Sequence, residues 1–243
     1  MHFIPMYHHL ASNRYGKIAA VFLMGFAFHA LSPAHAQSKT KETGPLLRVI
    51  CTTALIPSQE VVIASRAEDG TWQEYGSLKL RSSSISEWLP ARTGSLHLAL
   101  RGAGELVSIC PFTYPEGEQR ALLILLPDTA KKVYRGDVIN PGKLKFSKGN
   151  TLLVNYSPLV GTVMLGSRRA SIKPGERLVM QPGPDPNGMF RMLVAYTNDS
   201  KQLVPCYDRY VGKNADSRDI LLLFPDPVLG IRTYSLPEFG PFE

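Results

Sequence analysis

Histidine is nearly missing from most of this chain. Of six histidines, His2, His8, His9, His29 and His35 fall within the first 36 residues, and His97 alone lies beyond them. A metal centre built from several imidazoles therefore cannot form in the remainder of one chain, and a blue-copper site, which needs two His and a Cys, is excluded. A Ser-His-Asp or Cys-His arrangement would have to use His97, which sits in an alternating segment with no nucleophile elbow around it. There is also no Gly-rich phosphate loop between a strand and a helix, and no calcium loop of the required carboxylate spacing. No cofactor and no metal are expected.

Cysteine is scarce as well. There are three, Cys51, Cys110 and Cys206, and an odd number leaves at least one unpaired. Cys51 and Cys110 fall in the same half of the chain and are a candidate disulfide, provided their Cα atoms come within about 7 Å. Two buried free thiols in a β core are the open alternative. Cys206 has no counterpart of Cys51 in its own half, where Tyr156 stands, and reads as a buried free thiol.

Acidic residues are absent from the first 36 positions, which hold Arg14 and Lys17 ahead of the apolar run Ile18–Phe28. A short basic region, an apolar run and then Ala34-His35-Ala36 read as a secretory signal peptide, residues 1–36, followed by a polar leader, residues 37–45. The run is shorter than the roughly 20 residues that span a bilayer, so no transmembrane segment is expected in the mature chain. Its expected location is exported, periplasmic or extracellular. The whole chain carries 27 Lys and Arg against 20 Asp and Glu, and the mature part keeps 25 against 20, an excess of +5. That excess is dispersed, its densest pairs being Lys131-Lys132 and Arg168-Arg169, which reads as a solvated surface and predicts no specific nucleic-acid partner.

Long helical patterns are lacking, whereas repetition is present. The chain reads RALLILLPD from Arg120 and RDILLLFPD from Arg218. Gly94–Leu100 aligns with Gly188–Val194, Leu106–Cys110 with Leu203–Cys206, Leu46–Ile50 with Leu152–Asn155, and Val61–Ala64 with Thr162–Leu165, all in the same order. The segments are short, rich in Val, Ile, Leu, Tyr and Thr, and separated by turn residues such as Glu68-Asp69-Gly70 and Lys173-Pro174-Gly175. The expected fold is all-β, two tandem β-sandwich modules of an Ig-like or similar Greek-key kind: repeat 1 over 46–138, and repeat 2 over 139–243 with a C-terminal tail. Leu122–Leu126 and Ile220–Phe224 lack alternation, which predicts central strands buried on both faces where modules or sheets meet. Asp128 and Asp226 close these runs and are expected to accept backbone hydrogen bonds in turns rather than to act as catalytic carboxylates.

The second half, with LLVNYSP, TVMLGSRRASIKPGERLVMQP and FRMLVAYTND, resembles a family of uncharacterised exported proteins of environmental bacteria that carry two sandwich-like repeats. The first half departs from it by an insertion around Ala67–Tyr75. The resemblance implies a fold, and no functional residues come with it.

Trp72 and Tyr75 lie in that insertion and are the candidate partner-binding residues, since exposed aromatics on a sandwich edge stack on sugar rings or anchor a protein. Two rings folded back over the core edge are the competing reading. The function read from the sequence is a non-catalytic exported protein, an envelope-associated binding or structural component of unknown ligand, its partner a glycan or an envelope protein. The alternatives are a glycan-binding module and a carbohydrate-active hydrolase using acidic residues. The exported protein should begin at Gln37, and intact-mass spectrometry of the secreted form checks it; a product retaining residues 18–28 would support an anchor instead.

Overall fold

The structure, a computed structural model, describes residues 44–57, 59–183, 187–212 and 214–242; the expected signal peptide and most of the polar leader lie outside them. The described chain is all-β, two tandem β-sandwich modules. In the first, one sheet runs in the order β4 (Ser84–Ile85), β1 (Leu46–Cys51), β8 (Arg120–Asp128), β9 (Val133–Ile139), with β5 (Leu89–Pro90) also paired to β1. Its second sheet is β3 (Trp72–Lys79), β2 (Glu60–Arg66), β6 (Gly94–Arg101), β7 (Leu106–Tyr114).

The second module has the same order. One sheet is β13 (Arg177–Met180), β10 (Thr151–Asn155), β16 (Ser217–Asp226), β17 (Gly230–Phe239), and the other is β12 (Arg168–Ile172), β11 (Gly161–Leu165), β14 (Met189–Thr197), β15 (Leu203–Gly212). Each module pairs its first strand in parallel with its penultimate one, β1 with β8 and β10 with β16, and every other ladder is antiparallel. A parallel partner needs a long crossover, supplied here by the rest of the module.

The non-alternating runs are explained by four stacked layers. Ala121, Leu123 and Leu125 of β8 face the core of the first module, while Leu122, Ile124 and Leu126 face a second apolar cluster shared with the other module. Ile220 and Leu222 of β16 enter that shared cluster from the opposite side, and Leu221 and Leu223 fill the core of the second module. The β8 and β16 sheets are thus the two inner layers. Each fully buried Leu or Ile contributes roughly 1.5–3 kcal/mol of transfer free energy, so the joint between modules is a core in its own right.

Polar clasps border this joint. Glu238, at the end of β17, is buried between two guanidinium groups: Arg218 Nε donates to Oε2 at 2.6 Å and Arg48 Nη1 to Oε1 at 2.8 Å. Arg48 belongs to the first module and faces the partner module from a ladder position where β10 has Leu152. The tail beyond β17 then crosses the first module, where Pro241 O accepts from Trp88 Nε1 and Arg120 Nη1, both at 2.9 Å. A second clasp joins Asp137 of β9 to the Tyr156 hydroxyl at 2.5 Å and to Arg177 of β13.

The ladders correct the sequence alignment. β7 and β15 each carry a bulge, at Ile109 opposite the Leu98–Ala99 step of β6 and at Cys206 opposite the Val194–Ala195 step of β14, so Leu98 matches Val194 and not Met192. A slip of two residues leaves every side chain on the same face, and apolar pattern alone cannot detect it. Ladder position likewise puts Asn155, not Tyr156, opposite Leu223 as Cys51 is opposite Leu125.

Glu238→Ala would leave Arg48 and Arg218 buried without their carboxylate and is expected to destabilise the protein by about 3–5 kcal/mol. Chemical denaturation measures it, and a loss under about 1 kcal/mol, typical of exposed pairs, would contradict a desolvated clasp.

Candidate functional site

Trp72 and Tyr75 do not form a strip. They lie on β3, three residues apart, and alternation sends them to opposite faces of the sheet. Tyr75 packs against the first module's core and its hydroxyl meets Ser65 Oγ at 2.9 Å and donates to Gln73 Oε1 at 3.0 Å. Trp72 lies on the outer face over Val62, Ala64 and Ala99. Its ring meets His97 edge-on at 5.2 Å, and the Arg66 guanidinium sits 5.5 Å above it. Beside Trp72 runs a groove of about 400 Å³ walled by the Arg101–Glu74 ion pair and the Gly102–Leu106 turn.

His97 Nδ1 is 2.8 Å from Ser108 Oγ, which raises the question of a nucleophile and its base. Desolvation and the nearby Arg66 charge both hold the imidazole below its ordinary pKa. A triad needs a carboxylate that stabilises the imidazolium; here a cation does the reverse.

The other residues singled out from the sequence serve the fold. Asp128 Oδ1 accepts from Lys131 N at 3.1 Å, and Asp226 Oδ1 accepts from Val228 N and Leu229 N, both at 2.9 Å. Those backbone bonds, with Arg232, hold the Asp226 carboxyl below the usual range. Both aspartates therefore close turns. Asn155, first residue of an Asn-X-Ser sequon, is fully buried and donates to Leu159 O and Ile172 O, leaving its amide no access to a glycosyl donor.

The candidate bridge between Cys51 and Cys110 is not made: both are free, buried thiols. Cys51 is level with Leu125, and Leu125 with Gly136. Cys110 Sγ lies over Gly136, 3.1 Å from where a Cβ would stand. The two sulfurs thus straddle β8, with Cys51 about two strand spacings, roughly 10 Å, from Gly136. Burial raises the Cys51 thiol to about 11 and the Cys110 thiol to about 12, and pushes Cys206 up.

A recess lies between the modules. A cavity of about 730 Å³ is bordered by the turn before β8 (Gly117–Gln119), Arg120, the connection from β9 to β10 (Asn140–Lys148), Arg218 and Phe242. That volume lies within the usual range for small-molecule sites. Its lining charge is Arg120, Lys145, Lys148 and Arg218 against Glu118, four less one, or +3. Arg218 is gripped between the rings of Phe146 and Phe242, at 4.4 and 4.5 Å. Sequence reasoning passed over these residues. The available signal was that both RALLILLPD and RDILLLFPD open with arginine, at the matching edge of two inner strands.

Among the described residues no three of His, Cys, Asp and Glu converge as a metal site, and no helix is long and apolar enough to cross a membrane. No protein-family model matches the chain, and no curated protein matches it.

At pH 8 the Cys51 and Cys110 thiols should be protonated and shielded, so a thiolate-reactive aromatic disulfide should label at most Cys206 in the native protein and all three cysteines after unfolding in guanidinium. A native intact mass two hydrogens short of three free thiols would overturn the unbridged assignment.

Proposed function

We propose that this chain is an exported, non-catalytic component of the cell envelope that binds its ligand in the cavity between the modules. The observation that carries the reading is that recess: an open space of ligand size, lined by four cations, two phenyl rings and one carboxylate, at a joint made rigid by a shared apolar core. Ligand sites occur preferentially at such domain interfaces. The polar groups around it are fixed donors rather than an acid and a base. Arg218 directs Nε and Nη2 to Glu238 and Nη1 to Phe146 O, which suits a static electrostatic wall.

The same proposal includes descent of the modules from one repeated unit and kinship with exported two-repeat sandwich proteins. Their common strand order, matching parallel pairs and matching bulges support it. An Ig-like or Greek-key affiliation belongs to the proposal as well. A second reading, glycan binding on the outer sheet, is favoured by the groove beside Trp72, where the bidentate Arg101–Glu74 pair, at 2.7 and 2.6 Å, offers donors and acceptors next to an indole. The hydrolase alternative loses support because Asp128 and Asp226 are engaged in turns and Glu74 is paired.

The test is retention of the mature protein on isolated envelope polymer. Saturable binding without release of soluble fragments is expected, weakening as salt rises because the cavity is basic. Failure to bind, or progressive release of product, would overturn the proposal.

A further inference from the structure

We infer that the cavity between the modules takes an oxyanion borne on a sugar ring, the carboxylate of a uronic acid or the phosphate of a phosphosugar, with Lys145 and Lys148 as its direct donors. The inference rests on the reading of this cavity as the ligand site and specifies what occupies it.

Charge comes first. The lining has a net charge of +3, and counting the buried Arg48 and Glu238 that lie behind Arg218 leaves that excess unchanged, five cations against two carboxylates. Low-dielectric walls focus such a field toward the recess. The single lining carboxylate, Glu118, is drawn off by Lys143 at 3.6 Å. A cationic or acid-seeking ligand is therefore disfavoured.

The donors come next. Arg218 is buried and directs Nε and Nη2 to Glu238 and Nη1 to Phe146 O, and contributes field rather than a hydrogen bond. Arg120 gives Nη1 to Pro241 O. Among the described residues Lys148 pairs with the exposed Asp216, at 3.8 Å. Lys145 is held at the cavity in a left-handed backbone conformation, φ 52°, by a turn that Asn140 organises. Asn140 Oδ1 accepts from Lys143 N at 3.0 Å, Lys145 N donates to Gly142 O at 3.0 Å and Phe146 N to Pro141 O at 2.9 Å. With Oδ1 so used, the amide orientation is fixed. Its Nδ2 is buried and has no acceptor among the described residues, a state proteins seldom tolerate. Two ammonium groups at a single recess call for an acceptor-rich anion.

Size then selects the carrier. A cavity of about 730 Å³ would leave a lone inorganic ion largely unenclosed, whereas a ring and its neighbours fill such a space and place C–H faces against Phe242.

The experiment titrates the mature protein with tetragalacturonate, neutral tetragalactose, glucose 6-phosphate and inorganic phosphate, by calorimetry at low salt. Binding of tetragalacturonate or glucose 6-phosphate is expected, the tighter of the two identifying the anion's source, with tetragalactose and inorganic phosphate at least tenfold weaker. Lys145→Ala with Lys148→Ala should weaken the anionic probe tenfold or more. The charge-matched pair Lys131→Ala with Arg209→Ala should leave it unchanged. Equal binding of the neutral tetramer, inorganic phosphate as tight as the sugars, indifference to the lysine pair, or no binding of any probe would each overturn the inference. Retention on envelope polymer together with any of those results would leave the function standing and the ligand class wrong.

Discussion

A strand buried on both faces has no side chain left for solvent, and β8 and β16 are both in that position. Each gives alternate residues to its own sandwich and to the shared joint, so two modules that could each close a modest core alone are fused through a third. Chemistry cannot be placed along such strands, only at their ends. That is where the charged residues are: Arg120 and Arg218 begin the runs, and Asp128 and Asp226 finish them. The aspartates satisfy turn amides at one end, whereas the arginines at the other face the opposing module and the cavity.

The buried Arg48–Glu238–Arg218 group is hard to justify as a stabilising device. Removing charges from water costs several kcal/mol per ion, and well-packed apolar residues in their place are often no less stable. The second module has Leu152 at the ladder position of Arg48, so an apolar solution at that level of the joint exists within the same chain. What the charged solution supplies is a fixed, uncompensated positive field beside the recess between the modules. The Asp137–Tyr156–Arg177 clasp differs in balance, with one carboxylate facing one guanidinium, and the negative charge helps hold the Tyr156 hydroxyl far above its ordinary pKa.

Much of the architecture was legible because it depends on composition along single strands. Leu122–Leu126 and Ile220–Phe224 announce two-sided burial by failing to alternate, and the turn role of the two aspartates follows from their place after a proline. What escaped depends on relations between strands. The slip of two between Leu98 and Val194 is invisible to a period-two pattern. Whether Cys51 and Cys110 meet turns on which strand lies between them, and that is β8. Trp72 and Tyr75 were grouped as one surface because the segment read as an inserted loop; once it is a strand, odd spacing separates them.

The cavity residues were hidden for a different reason. Lys145, Phe146 and Lys148 sit in the connection between modules, where a sequence reading expects a solvated linker, and Phe242 sits in a tail. Their meaning comes only from what they converge on. The tail reaches the first module because Trp88 and Arg120 both donate to Pro241 O, and the linker is turned toward Arg218 because Phe146 O accepts from its Nη1. Each contact satisfies a backbone carbonyl with a cation or an indole, and each also sets one wall of the recess. A linker that merely joined two sandwiches would not need a left-handed lysine or a buried amide with no acceptor among the described residues. Such departures from local preference persist where the surrounding structure enforces them, and they concentrate at functional sites. The cavity, rather than either sandwich face, is therefore where function is best sought.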